Sequence, residues 1–276
     1  MEPRSIRLPG THDLHLHALE WSREGTLLLF LHGFSNDAHV WDPIAPVLAP
    51  HYRVVALDQR GHGDSDRDPE GRYDHETMAR DANAAIESLG ASRAVIVGHS
   101  LGGRVAMRFA GLFPEKLAGL VIVDSAPDLD ARGTTRISLD VKQQDWSFAS
   151  VAEYERVLQR QYAATRPEIL AKLAVHWTRP RADGRFELKL DPGFTKARAN
   201  VSAEELAAWS EQEAKHLWAA LAKLPCPALV VRGAASDVMS AEVADRMVDD
   251  VIPNAVLETI ARAGHSVMLD NPEAFE

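Results

Sequence analysis

The sequence predicts an α/β protein, a mostly parallel, doubly wound sheet with helices on both faces and a mostly helical insertion. Three observations lead there. Short continuous runs of Val, Ile and Leu alternate with longer segments at helical spacing, the pattern of strands covered on both faces by crossover helices. Most of these runs end in turns rich in Gly, His, Asp or Ser, and in such a sheet functional groups gather at the carboxyl ends of the strands. Between residues 128 and 224 this strand–helix rhythm stops. At 276 residues the chain fits one large domain, or one domain with an insertion.

Taken in order, Ile6 to Glu20 alternates unevenly and reads as one or two edge strands. His12, His15 and His17 fall here without a carboxylate or cysteine cluster, so solvated edge histidines are expected rather than a metal site. Thr26 to Leu31 is a buried strand ending in His32-Gly33-Phe34. Asn36 or Asp37 is placed to cap a helix carrying Trp41, Ile44, Val47 and Leu48. Tyr52 to Leu57 is the next strand and runs into a charged turn from Asp58 to Ser65, where a salt bridge between Asp58 and Arg60 is expected. The glycines of that turn do not cradle phosphate, because no Lys-Ser/Thr follows and no Gly-x-Gly-x-x-Gly opens a helix. His75 to Leu89 is amphipathic, with Gly90 as its C-cap.

Ala94 to Val97 is a strand, Gly98 ends it, and Arg104 to Ala110 reads as helix. Between them stands Gly98-His99-Ser100-Leu101-Gly102. A serine in so sharp a strand-to-helix turn has a strained backbone, and flanking glycines remove the clashes. The turn lifts the hydroxyl out of the sheet, and the helix start aims N–H groups at the same space. That suits a serine that attacks a carbonyl and then holds the oxyanion it makes. After Pro114, Leu117 to Val123 is a strand ending in Asp124-Ser125-Ala126-Pro127.

In the insertion, Val151, Tyr154, Val157, Leu158 and Tyr162 keep helical spacing, as do Ile169, Leu170 and Leu173. Phe186 to Leu190 alternates like a short exposed strand. Nine arginines (132, 136, 156, 160, 166, 179, 181, 185 and 198) read mostly as solvated surface, with one or two available to an anionic substrate. The sheet resumes at Ala228 to Val231. A helix over Ala241–Asp249 and a strand over Ala255–Ile260 follow, then Ala263-Gly264-His265-Ser266 and the start of a further helix at Asp270.

Composition narrows the function classes. A net charge of −10 leaves no basic footprint for nucleic acid or an anionic membrane. The single cysteine, Cys226, allows no internal disulfide and reads as a buried structural thiol. No apolar run approaches the roughly 20 residues of a membrane span. With no signal-peptide pattern at the N-terminus, the expected location is cytoplasmic.

Four motifs stand in one order: His32-Gly33-Phe34, Asp58-x-Arg60-Gly61-His62-Gly63-x-Ser65, Gly98-x-Ser100-x-Gly102-Gly103, and Gly264-His265. With them the chain resembles the α/β-hydrolase-fold serine hydrolases, carboxylesterase-like members with a cap, over nearly its whole length. The resemblance implies a core of residues 1–127 and 225–276 and a helical cap of residues 128–224. It implies Ser100 as nucleophile, His265 as general base, and the backbone N–H groups of Phe34 and Leu101 as the oxyanion hole. The family's usual acid position, in a Gly-x-x-Asp pattern, falls on Ser236. Asp124, a position some members use, is the preferred acid, and Asp237, one residue late, is the alternative. Phe34, His32, His99, Trp146, Trp177 and Met239 are candidates to line the pocket.

The function implied is hydrolysis of a small-molecule ester, amide or related acyl bond through an acyl-enzyme, with no metal and no organic cofactor. Two alternatives keep the fold: a carbon–carbon hydrolase of ring-cleavage products or a perhydrolase, and a ligand receptor with slow hydrolysis. Dehalogenase and epoxide hydrolase readings need aspartate at position 100. A small molecule is the expected partner, and a homodimer is left open.

Overall fold

A computed structural model describes residues 2–143, 145–195 and 201–276. Its strands are β1 (Arg4–Pro9), β2 (His15–Glu20), β3 (Leu27–Leu31), β4 (Arg53–Leu57), β5 (Ala94–His99), β6 (Leu117–Val123), the short β7 (Ser147–Phe148), β8 (Thr178–Pro180) and β9 (Phe186–Leu188), then β10 (Ala228–Gly233) and β11 (Ala255–Ile260). Eight form one sheet in the order β1-β2-β4-β3-β5-β6-β10-β11. β1 and β2 pair antiparallel, β2 meets β4 antiparallel, and every pairing from β4 onward is parallel. β3 buries all five of its side chains, as its unbroken apolar run requires. Each such side chain contributes roughly 1.5–3 kcal/mol of transfer free energy.

The helices are α1 (Ala45–Leu48), α2 (His75–Ser88), α3 (Leu101–Leu112), α4 (Ala131–Lys142), α5 (Val151–Gln161), α6 (Pro167–His176), α7 (Ala203–Leu221) and α8 (Ala241–Asp245). α3 lies on β3, β5 and β6 and is flanked by α2 and α7. Thus α7 joins the helix layer of the sheet, although the sequence pattern grouped it with the insertion. Gly111 of α3 allows that approach, since a Cβ there would stand 3.1 Å from the Ala220 Cβ. α5 and α6 pack on each other, and β7, β9 and β8 form a separate three-stranded antiparallel sheet.

Several local expectations need correction. The single helix foreseen after Asn36 is two pieces, a 3₁₀ turn over Ala38–Trp41 and the one-turn α1. Pro43 and Pro46 withhold the N–H groups a continuous helix needs. Asp37 caps the first piece, accepting from the His39 N–H. The strand around Phe186 is not wholly exposed, since Leu188 and Leu190 are buried. The helix after Ser240 ends at Asp245 and continues as a π-helical stretch over Arg246–Val251.

His17 is not a solvated edge residue. Its ring is buried against Asp58, with Nδ1 2.7 Å from Oδ2. Asp58 and Arg60 do not pair with each other. Asp58 accepts from the Ala38 and Asp64 N–H groups, while Arg60 bridges Asp68 and Asp81 in the interior. Cys226 is buried, and burial pushes its thiol pKa up. Among the described residues no helix is long and apolar enough to cross a membrane. Arg198 lies outside the described residues.

Candidate active site

Ser100 sits between β5 and α3 with φ 52° and ψ −114°. A non-glycine residue there costs on the order of 1–3 kcal/mol, so its surroundings must over-determine it. Three bonds do so. Ser100 N–H donates to Val123 O at 3.1 Å, Ser125 Oγ donates to Ser100 O at 2.7 Å, and Gly102 N–H donates to His32 O at 3.1 Å. The flanking glycines are steric necessities. A Cβ at Gly98 would lie 2.3 Å from Gly102 O, and one at Gly102 would lie 2.2 Å from Leu31 O. Only glycine lets α3 begin this close to the ends of β3 and β5.

His265 follows β11 and reaches back to the serine. Its Nε2 is 3.0 Å from Ser100 Oγ, and its Nδ1 is 2.7 Å from Asp124 Oδ2. With Nδ1–H donating to the carboxylate, the Nε2 lone pair faces the hydroxyl, a tautomer assigned from the hydrogen-bond network. Asp124, at the end of β6, is 0% exposed. Its Oδ1 accepts from the Gly233 N–H at 3.1 Å, and its Oδ2 also accepts from Ser236 Oγ at 2.6 Å. Asp237 is engaged elsewhere. It holds Arg136 through contacts of 2.6 and 2.8 Å, and this Arg136 partnership keeps its carboxyl below the usual range.

The loop bearing His265 is tied down separately. Asp270 accepts from the Gly264 N–H at 2.9 Å and from Thr165 Oγ1, a residue of the insertion, at 2.9 Å. The His99 ring donates from Nε2 to His265 O at 2.9 Å. Burial, reinforced by the neighbouring His265, pushes the His99 pKa well down. Burial, with His32 beside it, pushes His62 down to about 3. Both rings therefore stay neutral near the site and add no competing positive charge.

A cavity of about 500 Å³ opens onto Ser100 and His265. Its walls come from the β3 loop (Phe34, Asn36), from the insertion (Trp146, Tyr162) and from the region around Ala235 and Arg262. The Leu101 N–H opens α3, ahead of the first intrahelical bond from Arg104 N–H to Ser100 O, so it has no intrahelical acceptor. The Phe34 N–H belongs to the turn closed by Asn36 N–H on Gly33 O at 3.2 Å.

Of the pocket candidates, Phe34, His99 and Trp146 line this cavity. His32, Trp177 and Met239 do not. His32 is fully buried, accepting from the Gln59 N–H at 3.0 Å and donating to Gly33 O at 2.8 Å, which fixes the end of β3. Trp177 turns its indole N–H into Asp37 Oδ1 at 2.9 Å. Met239 is core, and its carbonyl accepts from Arg232. Residues to which the sequence reading gave no role in the site are Ser236, which donates to Asp124, and Tyr162, whose hydroxyl accepts from Asn36 Nδ2 at 3.1 Å. Ser236 had a signal, since it occupies the family's usual acid position.

Comparison with known proteins agrees with this architecture. The model of the alpha/beta hydrolase fold family matches residues 26–272. A 2-(acetamidomethylene)succinate hydrolase of Mesorhizobium japonicum is 28% identical over 249 residues, 90% of this chain and 84% of that protein. A pimeloyl-[acyl-carrier protein] methyl ester esterase of Pectobacterium atrosepticum is 30% identical over 266 residues, covering 94% and 95% of the two chains. The crystal structure of E-2-(acetamidomethylene)succinate hydrolase superposes with a TM-score of 0.83 at 25% identity, covering 99% of this chain and 96% of that one. The sheet order, the strained serine turn and the family match over most of the chain lead to one conclusion: this protein belongs to the alpha/beta hydrolase fold family.

Proposed function

We propose that the chain is a serine hydrolase that cleaves a small-molecule ester or amide through an acyl-enzyme. One observation carries the reading: a single imidazole stands 3.0 Å from Ser100 Oγ and 2.7 Å from the buried Asp124 carboxylate. In this mechanism Ser100 Oγ attacks the substrate carbonyl carbon while His265 Nε2 takes the hydroxyl proton. The carbonyl oxygen becomes an oxyanion facing the Phe34 and Leu101 N–H groups. As the tetrahedral centre collapses, His265 passes its proton to the leaving oxygen or nitrogen. Water, deprotonated by the same nitrogen, then attacks the acyl carbon and frees the acid and Ser100. Asp124 holds the ring in the required tautomer and offsets its transient positive charge.

The substrate carries a carboxylate in this reading. Arg136 on the cavity wall is matched by Asp237 and Asp140. Arg262 lines the same cavity, with φ 57° and no ion-pair partner among the described residues. The Mesorhizobium japonicum relative, whose name specifies a succinate substrate, supports the same choice.

The test is hydrolysis of p-nitrophenyl acetate by the purified protein and by Ser100→Ala. The expected result is a pre-steady-state burst in the parent and loss of at least about 10³-fold in rate in the variant. Equal rates in the two would remove Ser100 from the chemistry.

A further inference from the structure

From residues outside the serine site, we propose that His39, Asp42 and His176 form a binding site for a divalent transition-metal ion of the zinc class, which clamps the insertion to the sheet domain. His39 and Asp42 belong to the segment that follows β3, the first in the 3₁₀ turn and the second at its C-cap. His176 is the last residue of α6, in the insertion. One ligand atom from each of the three lies within 4.8 Å of the others. The two imidazoles are stacked, with ring centroids 3.5 Å apart and planes 17° from parallel.

The carboxylate supplies the second observation. Asp42 Oδ2 is 3.0 Å from His39 Nδ1, but its Oδ1 is buried with no hydrogen-bond partner among the described residues. The Asp42 side chain is otherwise 37% exposed, and a cation beside Oδ1 would give that oxygen a partner. Two imidazole nitrogens and one carboxylate oxygen suit Zn²⁺, Co²⁺, Ni²⁺ or Cu²⁺ rather than Mg²⁺ or Ca²⁺, which take all-oxygen shells. Zinc bonds of about 2.0–2.2 Å set ligand atoms roughly 3.3–3.5 Å apart, so binding requires the two stacked rings to turn out of their parallel arrangement until both lone pairs meet one ion. Water would complete the shell. The neighbouring Lys189 is already paired with Asp64 at 2.7 Å, so it adds no unmatched positive charge beside the ion.

The consequence is mechanical. Beside these residues, Trp177 Nε1 donates to Asp37 Oδ1, a polar contact that already joins the insertion to the β3 loop, as does Asn36 Nδ2 on the Tyr162 hydroxyl. A metal bridge would add coordinate bonds at the same junction, away from Ser100 and His265.

The experiment is titration of ZnCl₂ into the chelator-treated full chain at pH 7.5 by calorimetry, with His176→Gln, His39→Gln and Asp42→Asn alongside. The expected result is one ion bound with micromolar Kd. Zinc at ten times Kd should raise the unfolding midpoint by about 3 °C. Each variant should lose at least about tenfold in affinity while keeping the parent's metal-free unfolding midpoint. Asp42→Asn, which leaves volume unchanged, serves if a histidine variant fails to fold. Absence of binding, or parent-like affinity in all folded variants, overturns the proposal. In the second case zinc binds elsewhere, with His265 and His99 the remaining imidazoles of the cavity.

Discussion

Replacing Asp124 with asparagine tests the acid assignment, and the structure sets the size of the effect. The carboxylate contacts His265 Nδ1 at 2.7 Å in a position closed to solvent. Charge centres about 4 Å apart at an effective dielectric of about 20 interact by about 4 kcal/mol, which is worth roughly 10³ in rate when the imidazolium forms. The amide also lets the ring settle in the wrong tautomer, so kcat/KM for p-nitrophenyl acetate should fall by about 10³–10⁴, with KM little changed. The fold offers a rescue. Ser236 Oγ lies 2.6 Å from the same carboxylate oxygen that holds the ring. An aspartate at 236 would therefore bring a negative charge close to the spot that Asp124 vacates. In the Asp124→Asn background, Ser236→Asp should recover at least about tenfold of the loss. Ser236→Asp alone should destabilise the protein by setting two carboxylates side by side. Refutation would be an Asp124→Asn enzyme with more than about a tenth of parent activity, or an Asp237→Asn enzyme that loses as much.

Three further outcomes are expected. Gly98→Ala pushes a methyl to within 2.3 Å of the Gly102 carbonyl, so urea unfolding should show a loss of about 3 kcal/mol together with most of the activity, and a parent-like midpoint would contradict this account of the turn. His62 is held near pKa 3 when folded against 6.5 when unfolded, so the unfolded chain gains the proton first as pH falls. Stability is then full above about pH 6.5 and drops by about 3 kcal/mol by pH 4.5, and His62→Asn should flatten that part of the midpoint-versus-pH curve; an unchanged slope would place the titration elsewhere. Arg262→Gln should raise KM at least about fivefold for an ester bearing a carboxylate while leaving p-nitrophenyl acetate unaffected, and equal effects on both would remove Arg262 from charge recognition.

Much of the sheet is legible in the chain because strands covered on both faces must be continuously apolar. Leu117–Val123 matches residue for residue on that pattern; Ala255–Ile260 also matches in its bounds, although this edge strand carries Glu258 and Thr259 and buries only Ile260. The boundaries that differ depend on what packs from afar. His17 looks like an edge residue until Asp58, 41 positions away, is folded against it. The grouping of α7 with the sheet is decided by Gly111 and the face it offers, and no local pattern carries that. In the site, Ser100 is legible because the glycines its turn requires surround it, and His265 because it stands in a Gly-His pair after the last strand. Asp124 could be singled out because a serine stands at the usual acid position. The part that serine plays, donating to the displaced carboxylate, needs three strands in register. Trp177 and Met239 show the opposite limit: large apolar residues near a cavity look alike in a sequence, whichever side of the wall they face.

The loop after β3 has two loyalties. It carries the Phe34 amide proposed for the oxyanion hole, and through Asn36 and Asp37 it grips Tyr162 and Trp177 of the insertion. Any swing that widens the entrance must break those grips or drag the loop along. Admission of a molecule and readiness to polarise it therefore share one hinge, and substitutions on the roof should register as altered turnover as well as altered affinity.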